Sequence, residues 1–261
     1  MGFGDDLVQS SKKHSSRVIL ALDVTGPTDT RVGRATGILR KVGDHVAGVK
    51  VNWHILLPAG IRGIADVLEV CHAKGLPVIA DMKLNDIEST NLEAAELLFA
   101  AGIDAVIANP FVGSEEGLSG VIARAKEAGK GVILLVYMSH AGAGEGYGLV
   151  VDGKPLYLEF ARRARVWGAD GVIVSAKSLA IIRDVRKELT RKQLILSPGV
   201  GFQGGKADHA VIEAGTDFPI VGRSIVEAQD PMAAVRVLNR SLPRPRGPPP
   251  RRAEVSWSSD R

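Results

Sequence analysis

Short runs of β-branched and aliphatic residues alternate along this chain with longer stretches whose apolar positions recur at helical spacing. The strand-like runs are Val18–Asp23, Ala47–Val51, Val78–Lys83, Ala105–Ala108, Val132–Tyr137, Gly171–Val174, Leu194–Ser197 and Phe218–Val221. Helical stretches fall between and after them, near Asp29–Lys41, Ala59–Ala73, Glu88–Ala101, Ser114–Ala128, Leu156–Trp167, Ser178–Leu189, Lys206–Ala214 and Pro231–Arg240. Such alternation implies a parallel sheet, because parallel neighbours need a crossover between them. Eight units with few spare residues close most economically into a single-domain (β/α)8 TIM barrel. An open doubly wound sheet would leave two edge strands and normally has fewer units. Gly75, Gly102, Gly129, Gly168 and Gly215 each precede a predicted strand by a few residues, where a helix must stop.

Composition narrows this picture. A length of 261 residues suits one barrel, which typically needs about 250. Hydrophobic residues make up 45% of the chain and aromatics only 5%, so the core is built from branched aliphatics and alanine. Residues 1–16 read as a polar N-terminal segment without a signal-peptide core, 17–240 as the catalytic barrel, and 241–261 as a Pro/Arg-rich tail without core-forming periodicity, expected to be disordered. No apolar run reaches the roughly 18 residues of a membrane span, and a cytoplasmic protein is expected. The lone Cys71 excludes an intramolecular disulfide and a multi-Cys zinc site; its apolar helical neighbours make it a buried hydrophobe. Net charge is +4, of which the tail's five arginines against two acids supply +3, leaving +1 for the rest. The folded part therefore lacks the basic face of a nucleic-acid binder.

Barrel ligands bind at the C-terminal strand ends, so the chemistry is sought there. The first strand ends in Asp23, the second in Lys50, and the third in Asp81-Met82-Lys83 with Asp86 in the following loop. Asp81 and Lys83 are two apart and share one face of their strand. Burying a carboxylate and an ammonium there costs several kcal/mol per ion unless each is paired. A structural salt bridge is the plainer reading, but both charges sit at the active-site end of the barrel. Lys50 and Asp86 extend the pair into an alternating array.

The seventh strand runs into Pro198-Gly199-Val200-Gly201-Phe202-Gln203-Gly204-Gly205, and the eighth into Gly222-Arg223-Ser224. Glycines let backbone N–H groups approach an anion, and a guanidinium adds bidentate contact. This predicts a phosphate site and says little about the reaction. The loop also matches G-x-G-x-x-G through Gly199, Gly201 and Gly204. A dinucleotide fold, however, requires an acid ending the following strand, and Asp217 precedes that strand instead.

Together these segments resemble the orotidine 5′-monophosphate decarboxylase family in its short, archaeal-like form, from about Val18 to Val226. Asp81-Met82-Lys83-Leu84-Asn85-Asp86-Ile87 matches its D-x-K-x-x-D signature, and Lys50, Met138-Ser139-His140, Pro198-Gly199-Val200-Gly201 with Gln203, and Val221-Gly222-Arg223-Ser224 follow in the family's order. The resemblance implies conversion of orotidine 5′-monophosphate to UMP and CO2 in pyrimidine biosynthesis, with no metal or organic cofactor. It implies that Asp23 and Lys50 bind ribose hydroxyls, that Asp81 lies against the substrate carboxylate, and that Lys83 protonates C6. Asp86, Ile87 and Thr90 would reach the neighbouring subunit's site in a homodimer. Ser139 would bond the pyrimidine, Gln203 would bridge ring and phosphate, and Arg223, with backbone N–H groups near Gly204 and Gly222, would hold the phosphate.

The chain departs from the family in a longer, Gly-rich stretch, Ala141–Gly148, followed by Val151-Asp152-Gly153-Lys154, which reads as a hairpin turn. His54 is assigned to packing or loop structure, with no partner that the sequence names. Two rival readings stand beside the decarboxylase. The hexulose-phosphate synthase and ketogulonate-phosphate decarboxylase group shares D-x-K-x-x-D but looks for an acidic Mg2+ ligand at the second strand end, where this chain has Lys50. A nucleotide sensor that has lost catalysis should also have lost an acid, a base or the phosphate Arg, and all are present.

Overall fold

The computed structural model describes residues 2–201 and 206–245; the expectations for Gln203 and Gly204, and for the tail beyond residue 245, lie outside the described residues. Eight parallel strands close into a barrel: β1 (Ile19–Ala21), β2 (Gly48–Val51), β3 (Val78–Leu84), β4 (Ala105–Ala108), β5 (Gly131–Tyr137), β6 (Gly171–Val174), β7 (Leu194–Ser197) and β8 (Phe218–Val221). Each pairs with the next in the chain, and β8 pairs with β1 through Ile19–Ile220 and Leu20–Val221. The predicted TIM barrel is thus the observed fold. The first strand is shorter than the apolar run suggests, so Asp23 stands beyond its end, on the loop.

Strand alternation sorts the core into two shells. Ile19, Ala21, Ile79, Ile107, Ile133, Leu135, Ile173, Leu196 and Ile220 fill the barrel interior, while Leu20, Val49, Ala80, Val106, Leu134 and Val172 pack outward against the helices. Phe3 and Leu7 also belong to the inner shell.

These two residues come from the segment read as merely polar. Residues Phe3–Lys13 form a helix, with Asp5 and Asp6 in its first turn and Lys12 and Lys13 in its last, a charge order that suits the helix dipole. Phe3 and Leu7 are one turn apart and insert together. A Cβ on Gly131, at the start of β5, would stand 2.6 Å from the Phe3 ring, and one on Gly48, at the start of β2, 3.1 Å from Leu7. The helix therefore closes the N-terminal mouth of the barrel, opposite the end that carries the chemistry.

The five predicted glycine stops all have positive φ, and Gly75 and Gly168 are left-handed helix caps that a side chain would strain. The stretch read as one helix over Ala59–Ala73 is two, Trp53–Gly63 and Ala65–Lys74. Asn52 caps the first through its side chain, starting it earlier than the apolar pattern indicates, and Gly60 (φ 66°, ψ 171°) breaks it. Val150–Val151 pairs antiparallel with Lys154–Pro155 across Asp152-Gly153, both at positive φ, as the predicted two-residue turn requires. Among the described residues no helix is long and apolar enough to cross a membrane.

Phe3→Ala would leave a cavity under the barrel floor. Urea denaturation is expected to show a loss of roughly 3–5 kcal/mol, as for other buried Phe truncations, with turnover at the opposite mouth unchanged at temperatures where the variant is folded.

Candidate active site

On β3 the period-2 series Ile79, Asp81, Lys83 passes from apolar floor to charged rim. Pairing with β4 runs Ile79–Ala105 and Ala80–Val106, then resumes at Leu84–Ala108. Four steps along β3 thus match two along β4, and the strand bulges where Asp81, Met82 and Lys83 sit. Lys83 takes a left-handed backbone conformation (φ 51°), which costs a non-glycine residue about 1–2 kcal/mol. Such strain persists only where surrounding contacts hold it. Here the Lys83 ammonium lies 2.7 Å from Asp81 Oδ1.

The other Asp81 oxygen accepts from Lys50 Nζ at 2.9 Å. Lys50 points inward from β2 and is also 3.5 Å from Asp23 Oδ1. Burial alone would discharge both groups. For Lys50 the carboxylates of Asp81 and Asp23 outweigh burial and raise its pKa. For Asp81 the two ammonium groups outweigh burial and hold its carboxyl below the usual range. Lys50 and Asp81 are therefore both ionised near neutral pH.

These charges face one open cavity of about 870 Å³, counting the space that opens to solvent. Asp23, Lys50, Asp81, Lys83, Ser139, Pro198, Gly222 and Arg223 line it together. Its apolar floor is Ile107, Leu135, Ile173 and Ile220, the last inward positions of four other strands. Glycine is needed where the loops after β7 and β8 meet: a Cβ on Gly201 would come within 2.3 Å of Ser224 Oγ. Charged side chains, an apolar floor and Arg223 beside Gly222 thus share one space.

The chain has relatives among known proteins. The profile of the orotidine 5′-phosphate decarboxylase / HUMPS family matches residues 16–238. The chain belongs to this family. Orotidine 5′-phosphate decarboxylase from Thermococcus kodakarensis is 40% identical over 227 residues, 87% of this chain and 97% of the relative. The crystal structure of the Pyrococcus horikoshii decarboxylase superposes with a TM-score of 0.72 at 36% identity, covering 86% of this chain and 98% of that one. The Methanocaldococcus jannaschii decarboxylase complexed with the inhibitor BMP gives 0.76 at 27%, covering 88% and 99%. This family member is accordingly an enzyme, and its curated relatives are carboxy-lyases.

Three predicted site residues stand apart from the cavity. Asp86 and Ile87 are exposed on the loop after β3, and Thr90 is exposed in the first turn of the helix Glu88–Ala100. Asp86 Oδ1 accepts from the Ile87 N–H at 2.7 Å, and its own N–H donates to Asn91 Oδ1 at 3.2 Å, so the loop is shaped locally. Sequence reasoning missed Asn52 and Met138, which also line the cavity. Asn52 lies two residues past Lys50, the spacing that could have placed it on the same inward face.

Asp81→Asn leaves Lys50 buried with its partner weakened, at an expected cost of roughly 3 kcal/mol. The carboxylate's share is present above its ordinary value of 3.8 and is lost as pH falls through its depressed folded value. The share of Lys50 is present below 10.5 and is lost as pH rises through its raised folded value. Urea titrations of wild type and variant should thus differ by a constant amount across neutral pH and converge below about pH 4; a gap that persists in acid would contradict the ionised cluster.

Proposed function

We propose that this enzyme decarboxylates orotidine 5′-monophosphate to UMP and CO2, with Lys83 as the proton donor. The observation that carries the reading is the ammonium–carboxylate–ammonium cluster of Lys50, Asp81 and Lys83 at the mouth of a cavity that also holds Arg223. Phosphate at Arg223 and Gly222 orients the nucleotide, the pyrimidine lies on the apolar bed beside Ser139, and Asp23 with Lys50 takes the ribose hydroxyls. Gln203 and the N–H of Gly204 would complete the phosphate end.

The chemistry follows from the charges. Breaking the bond from C6 to the carboxylate leaves its electron pair on C6, in an orbital that the ring cannot delocalise. A fixed ammonium beside that carbon stabilises the pair with little reorganisation. Lys83 then gives its proton to C6, yielding UMP and a neutral amine that regains a proton from water. Asp81 holds the ammonium of Lys83 aimed before substrate arrives. In this reading the reaction uses no metal or organic cofactor, because the two ammonium groups occupy the place where a divalent cation would have to stand.

The reading includes a homodimer in a cytoplasmic, pyrimidine-making setting. Asp86, Ile87 and Thr90 face away from this chain's cavity, as residues serving a neighbour's site would. Trp53, Leu57, Ile87, Leu97 and Phe111 are large, exposed and apolar, and lie in the segments that follow β2, β3 and β4 in the chain. Such a grouping is what a subunit interface covers.

Two experiments test this. Loss of orotidine monophosphate absorbance should proceed with wild type, unaffected by a chelator, and fall by at least roughly 10³-fold in Lys83→Ala. Mixing Lys83→Ala with Asp86→Ala subunits should restore about a quarter of wild-type activity, because half of the dimers would be mixed and each would hold one intact site. A mixture as inactive as its parts would remove Asp86 from the neighbour's site.

A further inference from the structure

Asn52 stands where the loop after β1 meets the helix that follows β2. Its side-chain oxygen accepts from the His54 backbone N–H at 2.9 Å and lies 2.7 Å from His54 Nδ1. A backbone N–H can only donate, so this end of the amide must be the oxygen. The amide nitrogen is therefore turned toward Asp23, donating to Oδ1 at 2.7 Å. A flipped amide would set a carbonyl against a carboxylate and lose two bonds. Outside this contact, Arg31 spans the same two loops, donating to the carbonyls of His54 at 2.8 Å and Gly26 at 2.6 Å.

We propose that Asn52 is a positioning residue that sets the ribose selectivity of the site by clamping Asp23. The inference rests on the reading of Asp23 as a ribose ligand. Asp23 is part-exposed, and Lys50 is 3.5 Å away, too far to fix its rotamer. The short bond from Asn52 does so. It occupies Oδ1 and leaves Oδ2, which lies toward Gly222, as the acceptor for a sugar hydroxyl. Being neutral, the amide orients Asp23 without competing for Lys50, so Lys50 stays on Asp81. Without the clamp Asp23 is free to turn, and a ribose hydroxyl loses a preset acceptor.

Asn52 also caps the helix Trp53–Gly63, so truncation to Ala mixes two roles. Asn52→Ser separates them: a serine oxygen still caps, but is too short to reach Asp23 and cannot replace the amide N–H. The test measures kcat, KM and the inhibition constants of UMP and its 2′-deoxy and 3′-deoxy analogues for wild type, Asn52→Ser, Asp23→Ala and the double variant. Asn52→Ser should raise KM about 5–10-fold, the worth of one hydrogen bond, with kcat within about threefold. Its preference for UMP over a deoxy analogue should fall by a similar factor. In the Asp23→Ala background the same change should add less than about twofold, because the two residues act as one. Turnover in wild type with unchanged KM and selectivity in Asn52→Ser would overturn the clamp alone, as would a full penalty in the Asp23→Ala background. A wild type without turnover would overturn the decarboxylase reading and the clamp with it.

Discussion

Asp81 sits between two ammonium groups inside a barrel, and the rest of the architecture serves that contact. Three charges so close together cannot be buried in an arbitrary fold. Each ion loses hydration, and only partners at hydrogen-bond distance offset the loss. The distances of 2.9 Å to Lys50 and 2.7 Å to Lys83 supply them. β2 and β3 are adjacent, so their inward side chains meet without reaching. The bulge in β3 and the left-handed backbone at Lys83 bring the third charge to the same point. The outcome is a set of charges arranged before any ligand arrives, which is what electrostatic stabilisation of a developing carbanion demands.

The barrel divides its two ends between stability and chemistry. At the N-terminal mouth, Phe3 and Leu7 seal the inner shell against Gly131 and Gly48. Midway, Ile79, Ile107, Ile133 and Ile173 fill the interior with aliphatic side chains. At the C-terminal mouth the same strands turn polar within one or two residues. A rigid, dry floor beneath a charged rim raises the strength of every interaction at the rim, because solvent reaches it from one side only. Asn52 and Arg31 add a second tier of hydrogen bonds that join neighbouring loops through Asp23, His54 and Gly26.

Much of this was legible in the amino-acid pattern, for local reasons. Eight aliphatic runs separated by helical periods mark eight parallel strands, and glycine at Gly75 and Gly168 marks helix ends because only glycine takes a left-handed cap without strain. Asp81 and Lys83 share a face because strand side chains alternate. What stayed hidden depends on contacts between distant segments. The helix Phe3–Lys13 is mostly polar, and its two inserted residues gain meaning only from glycines on distant strands, Gly48 and Gly131. His54 has no evident partner until Asn52 turns its amide oxygen back along the chain.

The chain alone thus determined the element order, the barrel class and the residue types at each strand end, since periodicity and turn chemistry act within a few residues. Tertiary structure decided which of those residues meet. It set the shear that aligns Lys50 with Asp81, the bulge that aims Lys83, and the exposure that keeps Asp86 out of its own chain's cavity. Closure of the barrel is the physical reason. Strand register and loop contact are collective properties of eight staves packed around one core, and no short stretch of sequence carries them.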